Sequence, residues 1–109
     1  MAKALVLTAV TGTQIGKKHV LSGRTSIIGS TPGCDLVLYD RAIEARHAEL
    51  RNMLDSWFIA PLTSSGSGIS VNGTIVRGQS RIRPGDKVTI GSITYTIAIE
   101  DLVEREFGR

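Results

Sequence analysis

Residues 93–99 read Ile-Thr-Tyr-Thr-Ile-Ala-Ile. Ile93, Tyr95, Ile97 and Ile99 fall on one side of an extended chain, and Thr94, Thr96 and Ala98 on the other. Side chains of a strand alternate between faces, so this pattern demands a strand with one buried and one wetter face. Such a strand needs partners, and the rest of the chain supplies short apolar runs punctuated by Gly, Pro, Asn and Ser. Strands are predicted over 4–10, 17–22, 25–29, 35–38, 47–53, 57–60, 69–71, 74–76 and 87–90. A hairpin is expected across Leu54-Asp55-Ser56. Asn72-Gly73 is the strongest turn signal, because both residues accept the positive φ of a two-residue type I′ turn. Tyr39–Arg46 reads as a polar loop, and Thr63–Gly68 as a flexible one. Many short strands with turn residues between them indicate an all-β sandwich or barrel.

The 109 residues suffice for one domain with one core. The sandwich is assigned to residues 1–99. Residues 100–109 change character: Glu100 and Glu104 with Leu102, Val103 and Phe107 allow a tail or short C-terminal helix. No apolar run approaches the ~18 residues of a membrane span. The start is too short for a secretory signal. The simplest localisation is the cytoplasm, or the cytoplasmic part of a larger protein.

Several chemistries find no support. Cys34 is the single cysteine, and His19 and His47 lack metal-ligand spacing, so no metal and no cofactor is expected. Gly12–Lys18 has three residues between its glycines and no Ser/Thr after Lys17, which a phosphate-binding loop would need. No Ser lies in a Gly-x-Ser-x-Gly elbow, and Gly66-Ser67-Gly68 sits between short strands. An enzyme is not expected. The net charge is +3. Residues 1–98 carry eleven Lys/Arg against six Asp/Glu, and residues 99–109 two against four. Arg77, Arg81, Arg83 and Lys87 are the nearest approach to a basic cluster, so anion or nucleic-acid binding through loop 77–87 is one alternative.

The remaining motifs form an ordered series. They are Ile28-Gly29, Cys34-Asp35-Leu36-Val37-Leu38, Arg46-His47-Ala48-Glu49-Leu50, Trp57-x-Ile59, Val71-Asn72-Gly73, Pro84-Gly85-Asp86 and Ile90-Gly91. Over residues 4–99 this series resembles the forkhead-associated (FHA) domain, a phosphothreonine-reading module of the SMAD/FHA type used in signalling. The resemblance implies a sandwich of about eleven short strands, with the partner held by loops at one end. It also implies structural roles for Gly29, for Gly73 in its turn, and for His47 as a strut bonded to backbone.

The same resemblance exposes departures. The family's phosphate-binding Arg after Ile-Gly becomes Ser30. Its Ser three residues before the His becomes Glu44, and the next basic residue becomes Ala45. The Thr-Asn pair maps onto Ser65-Gly66-Ser67. Phosphate carries about −1.5 to −2 charges, so a carboxylate at position 44 adds repulsion where attraction is needed. The phosphothreonine site is therefore read as degenerate, and the domain as a protein-interaction or scaffold module independent of phosphate. One alternative is a phosphopeptide reader with a pocket rewired around Ser30, Thr31, Arg41, Arg46, Ser64, Ser65 and Ser67, with Asn72 as a further contact. Another follows from the Ile-Gly-Ser form, the absent Ser and the Trp57 strand. These look similar to the cytosolic FHA-like domain of type III secretion inner-ring proteins.

Overall fold

The computed structural model describes residues 3–66 and 68–101. Ser67 and the tail 102–109, on which the expected helix falls, lie outside the described residues. No helix occurs among the described residues; eleven strands carry the fold. They are β1 (Lys3–Ala9), β2 (Lys18–Leu21), β3 (Thr25–Gly29), β4 (Leu36–Val37), β5 (Ala48–Met53), β6 (Ser56–Pro61), β7 (Ile69–Val71), β8 (Thr74–Ile75), β9 (Ser80–Ile82), β10 (Lys87–Ile90) and β11 (Ile93–Asp101).

Two sheets face each other. One has the order β2-β1-β11-β10-β7-β8, the other β4-β3-β5-β6-β9. Neighbours pair antiparallel except β3 and β4, which run parallel. The alternating segment 93–99 becomes the middle of β11, between β1 and β10. Tyr95 and Ile97 are buried, and Ile93 and Ile99 pack against the core from its edges. β11 continues through Glu100 and Asp101, two residues past the expected end of the sandwich. The short β9 was not anticipated: of Ser80, Arg81 and Ile82 only Ile82 is apolar, too little for a period to register.

The core lies between the sheets. Leu5 and Leu7 of β1, Ile28 of β3, Leu50 of β5, Trp57 and Ile59 of β6, Ile82 of β9 and Ile90 of β10 are all within 1% of complete burial. Each such side chain contributes up to about 1.5–3 kcal/mol over leaving it in water. The Trp57 indole N–H is buried with no hydrogen-bond partner. Ile43, in the segment read as a polar loop, is also buried and pins that loop to the core.

Two hairpins use two-residue turns with positive φ at both positions. Asn72 and Gly73 (φ 52° and 86°) are the expected pair. The β5–β6 turn is made by Leu54 and Asp55 (φ 54° and 66°), so Ser56 belongs to the strand. Asn52 steadies this second turn by accepting the Asp55 N–H at 2.9 Å.

Register defines the two ends of the sandwich. Ile28 lies opposite Ala48, Ala48 opposite Pro61, and Ile69 opposite Ile90. The segments after β3, before β5, after β6, before β7 and after β10 therefore gather at one end. The strand ends Lys3 and Asp101 pair at the other.

Candidate functional site

At the gathered end, β3 stops at Gly29, against which the chain before β5 packs. A Cβ at Gly29 would overlap the Ala45 carbonyl and sit 2.8 Å from the Cys34 sulfur. Only hydrogen fits there. The contact is then cross-bonded: the Ser30 N–H donates to the Glu44 carbonyl at 3.0 Å. The Thr31 hydroxyl donates to the Ala45 carbonyl at 3.0 Å, and the Cys34 thiol reaches the same oxygen at 3.2 Å.

His47 is 2% exposed and bridges the two sheets. Its Nδ1 accepts the Glu44 backbone N–H at 3.1 Å, so in the neutral ring Nε2 carries the hydrogen. Nε2 then donates to the Gly68 carbonyl at 2.9 Å. Gly68 has φ +97°, and a Cβ there would come within 2.9 Å of Nε2. The strut thus needs a glycine on its far side as well. A glycine inside the Ser-Gly loop 63–68 was the available signal, but nothing local links it to a histidine 21 residues earlier.

Glu44 faces the same loop. Its Oε1 accepts the Ser64 backbone N–H at 3.2 Å. One residue therefore ties three segments together: its carbonyl holds Ser30, its N–H holds His47, and its carboxylate holds Ser64. The Ser65 hydroxyl lies 3.5 Å from that of buried Thr63. Arg41 and Arg46 are exposed, and neither forms an ion pair among the described residues.

Asp40 and Ser92 close the end of the sandwich, with the Ser92 hydroxyl donating to Oδ2 of Asp40. This bond, with lesser help from the backbone N–H groups of Ala42, Arg41 and Ser92, outweighs desolvation and holds the Asp40 carboxyl below its ordinary range. The pair is 52 residues apart in sequence and left no trace there. Beside it a cleft of about 210 Å³ opens, lined in part by Lys17, His19, Tyr39 and Tyr95. His19 meets Tyr95 edge-on with ring centroids 5.9 Å apart. Burial, then the Lys17 charge, lowers the His19 pKa.

The described candidates divide into two groups. Ser30, Thr31, Arg41, Glu44, Arg46, Ser64 and Ser65 share the His47 end. Asn72 does not. Gly91 bonds Gly68 at the His47 end of the β7–β10 pair, while Asn72 bonds Lys87 at the other. There its Oδ1 accepts the Lys87 N–H at 2.9 Å and its Nδ2 donates to Asp86 at 3.1 Å. Arg77, Arg81, Arg83 and Lys87 are exposed. Among the described residues no group of three or more His, Cys, Asp or Glu could hold a metal, and no helix is long and apolar enough to cross a membrane.

Several solved structures share this architecture. The FHA domain of the CT664 protein from Chlamydia trachomatis is 28% identical, with 92% of this chain and 99% of that one covered and a TM-score of 0.75. Mycobacterium tuberculosis EmbR, solved with a low-affinity phosphopeptide, is 22% identical over 94% of this chain with a TM-score of 0.79. The match spans 26% of EmbR's own length. The FHA domain of a hypothetical Arabidopsis thaliana protein is 22% identical, with 98% and 92% covered and a TM-score of 0.77. No curated protein matches the chain. Residues 8–101 match the family described as the inner membrane component of T3SS, cytoplasmic domain. With nearly the whole sandwich inside that match, the chain belongs to this family of type III secretion domains, which share the forkhead-associated fold.

Proposed function

We propose that this FHA-type interaction domain serves an inner-membrane component of a type III secretion apparatus by holding a protein partner without reading phosphate. The observation that carries this reading is the Glu44 carboxylate on the Ser64 N–H. A backbone donor of the kind a phosphate would seek is already taken by an internal anion. A second anion there meets repulsion as well as a missing donor. Ser30 brings no positive charge to offset it.

Calorimetry with a phosphothreonine peptide library tests the reading. No binding is expected beyond that of the unphosphorylated peptides. Micromolar, phosphate-dependent binding abolished by Arg41→Ala or Arg46→Ala would overturn it. That result would favour a rewired reader, a reading supported by the exposure of both guanidinium groups and their lack of ion pairs among the described residues.

A further inference from the structure

The opposite end of the sandwich carries a feature that the partner-binding reading leaves unused. Leu54 is completely exposed (101%) and sits at φ 54°. Left-handed backbone costs an ordinary residue about 1–2 kcal/mol. An apolar side chain in water recovers none of it. The chain uses Asn-Gly for the same turn type at 72–73, so Leu-Asp is not forced by the geometry. A strained and exposed apolar residue at a hairpin tip is a reason to look for what it touches.

Its surroundings are basic and apolar. On the outer face of the five-stranded sheet, register aligns Thr25, Arg51, Phe58 and Arg81 in one cross-strand row. Their inward neighbours Leu50, Trp57, Ile59 and Ile82 form the core, so this row faces away from it. Arg51 and Arg81 are exposed, and Phe58 is half-buried. Met53, 46% exposed, continues the row towards the tip, and exposed Arg83 follows Ile82. Beside the tip, Arg24, Thr25, Arg51, Asn52, Met53 and Leu54 line a groove that contains two guanidinium groups and no carboxylate. The acids beside these arginines are Glu49, 3.4 Å from the Arg51 Nε, Asp55 of the turn itself, and Asp86, whose carboxylate accepts the Arg83 N–H at 2.8 Å.

Position singles out one partner. The register puts the β5–β6 tip and the strand ends Lys3 and Asp101 at the same end of the sandwich, away from His47. Lys3 pairs with Asp101 there, so the last described strand finishes at the end of the sandwich that carries the tip. We infer that the Met53–Leu54 tip and the Arg24, Arg51, Arg81 and Arg83 face dock on an anionic phospholipid bilayer. The inference rests on the reading of this domain as part of an inner-membrane component. Apolar side chains at the tip enter the headgroup boundary while the guanidinium groups meet lipid phosphate, the division of labour of interfacial anchors. A nucleic acid would use the arginines but give Leu54 no role.

Vesicle co-sedimentation decides it. The domain should bind phosphatidylcholine vesicles containing one part in four of phosphatidylglycerol, but not pure phosphatidylcholine. Leu54→Gly, which suits the backbone and keeps the fold, should weaken binding about tenfold. Arg51→Gln and Arg81→Gln should each weaken it about fivefold, and added salt should weaken it further. Three results would each overturn the inference: no anionic preference, unchanged binding by Leu54→Gly, or complete competition by a short DNA duplex. The phosphopeptide titration reads the other end of the molecule. Failure on vesicles with no phosphopeptide binding therefore removes the lipid contact alone.

Discussion

The Glu44 carboxylate and the Ser64 amide meet at 3.2 Å, joining the loop before β5 to the loop after β6. On the function proposed above, this acid bridges two loops through a backbone donor that a phosphate would otherwise take. Replacing it should therefore open the site. Ser30→Arg with Glu44→Ser supplies a cation and a hydroxyl and frees the Ser64 N–H. The double variant should acquire micromolar affinity for phosphothreonine peptides, a gain of about tenfold or more over the parent. Fluorescence anisotropy with a labelled peptide would show it. A double variant that folds and stays silent would mean that Glu44 is not what excludes phosphate.

Gly29 and His47 should behave as parts of the frame. Gly29→Ala forces a methyl group into the Ala45 carbonyl and should cost upwards of about 3 kcal/mol in urea denaturation. His47→Ala removes two part-buried hydrogen bonds, leaving the Glu44 N–H unpartnered and the Gly68 carbonyl with the Gly91 N–H alone, for a loss of about 2–3 kcal/mol. Nitrogen NMR at neutral pH should find the His47 hydrogen on Nε2. The Nδ1-H tautomer would contradict the bonding described.

Asp40 makes stability at this end depend on pH in a defined direction. Its pKa is lowered in the fold, chiefly by the Ser92 hydroxyl. A lowered carboxyl pKa stabilises the fold above the unfolded-state value, and that contribution disappears as pH falls through the folded one. Ser92→Ala should accordingly unfold at lower urea than the parent at neutral pH. The gap should shrink on acidification below the ordinary aspartate range. A gap that stays constant from neutral pH to pH ~2 would assign the effect to packing instead.

Leu54→Gly should raise stability by about 0.5–1 kcal/mol, since relief of left-handed strain outweighs the added freedom of glycine when unfolded. Urea midpoints measured side by side are sufficient. A loss of stability would mean that Leu54 packs against something in solution.

Much of the fold was written locally. β3 and β10 have the predicted limits, 25–29 and 87–90, because each is a short stretch rich in β-branched residues that a glycine closes. The Asn72-Gly73 turn is equally direct. The β5–β6 turn was placed a residue too long because Leu and Asp occupy backbone they rarely adopt. β9 escaped because it has one apolar residue. For the site, the departures at positions 30 and 44 were readable as residue types. The bonds they make were not. Glu44 to Ser64 spans 20 residues, His47 to Gly68 spans 21 and Asp40 to Ser92 spans 52. The first follows from the β5–β6 pairing within one sheet, and the other two exist only because both sheets close over one core.

One feature of the fold has a mechanical consequence. β1 and β11 run antiparallel through seven registered pairs, starting at Lys3 opposite Asp101. Tension applied through these two strand ends pulls them apart like the ends of a zip. The first rung takes the whole load and fails before the second feels it. The loops around His47 lie beyond the last rung and stay slack until the ladder has opened. In an assembly that moves, the domain would part first along this seam and keep the loops around His47 in shape the longest.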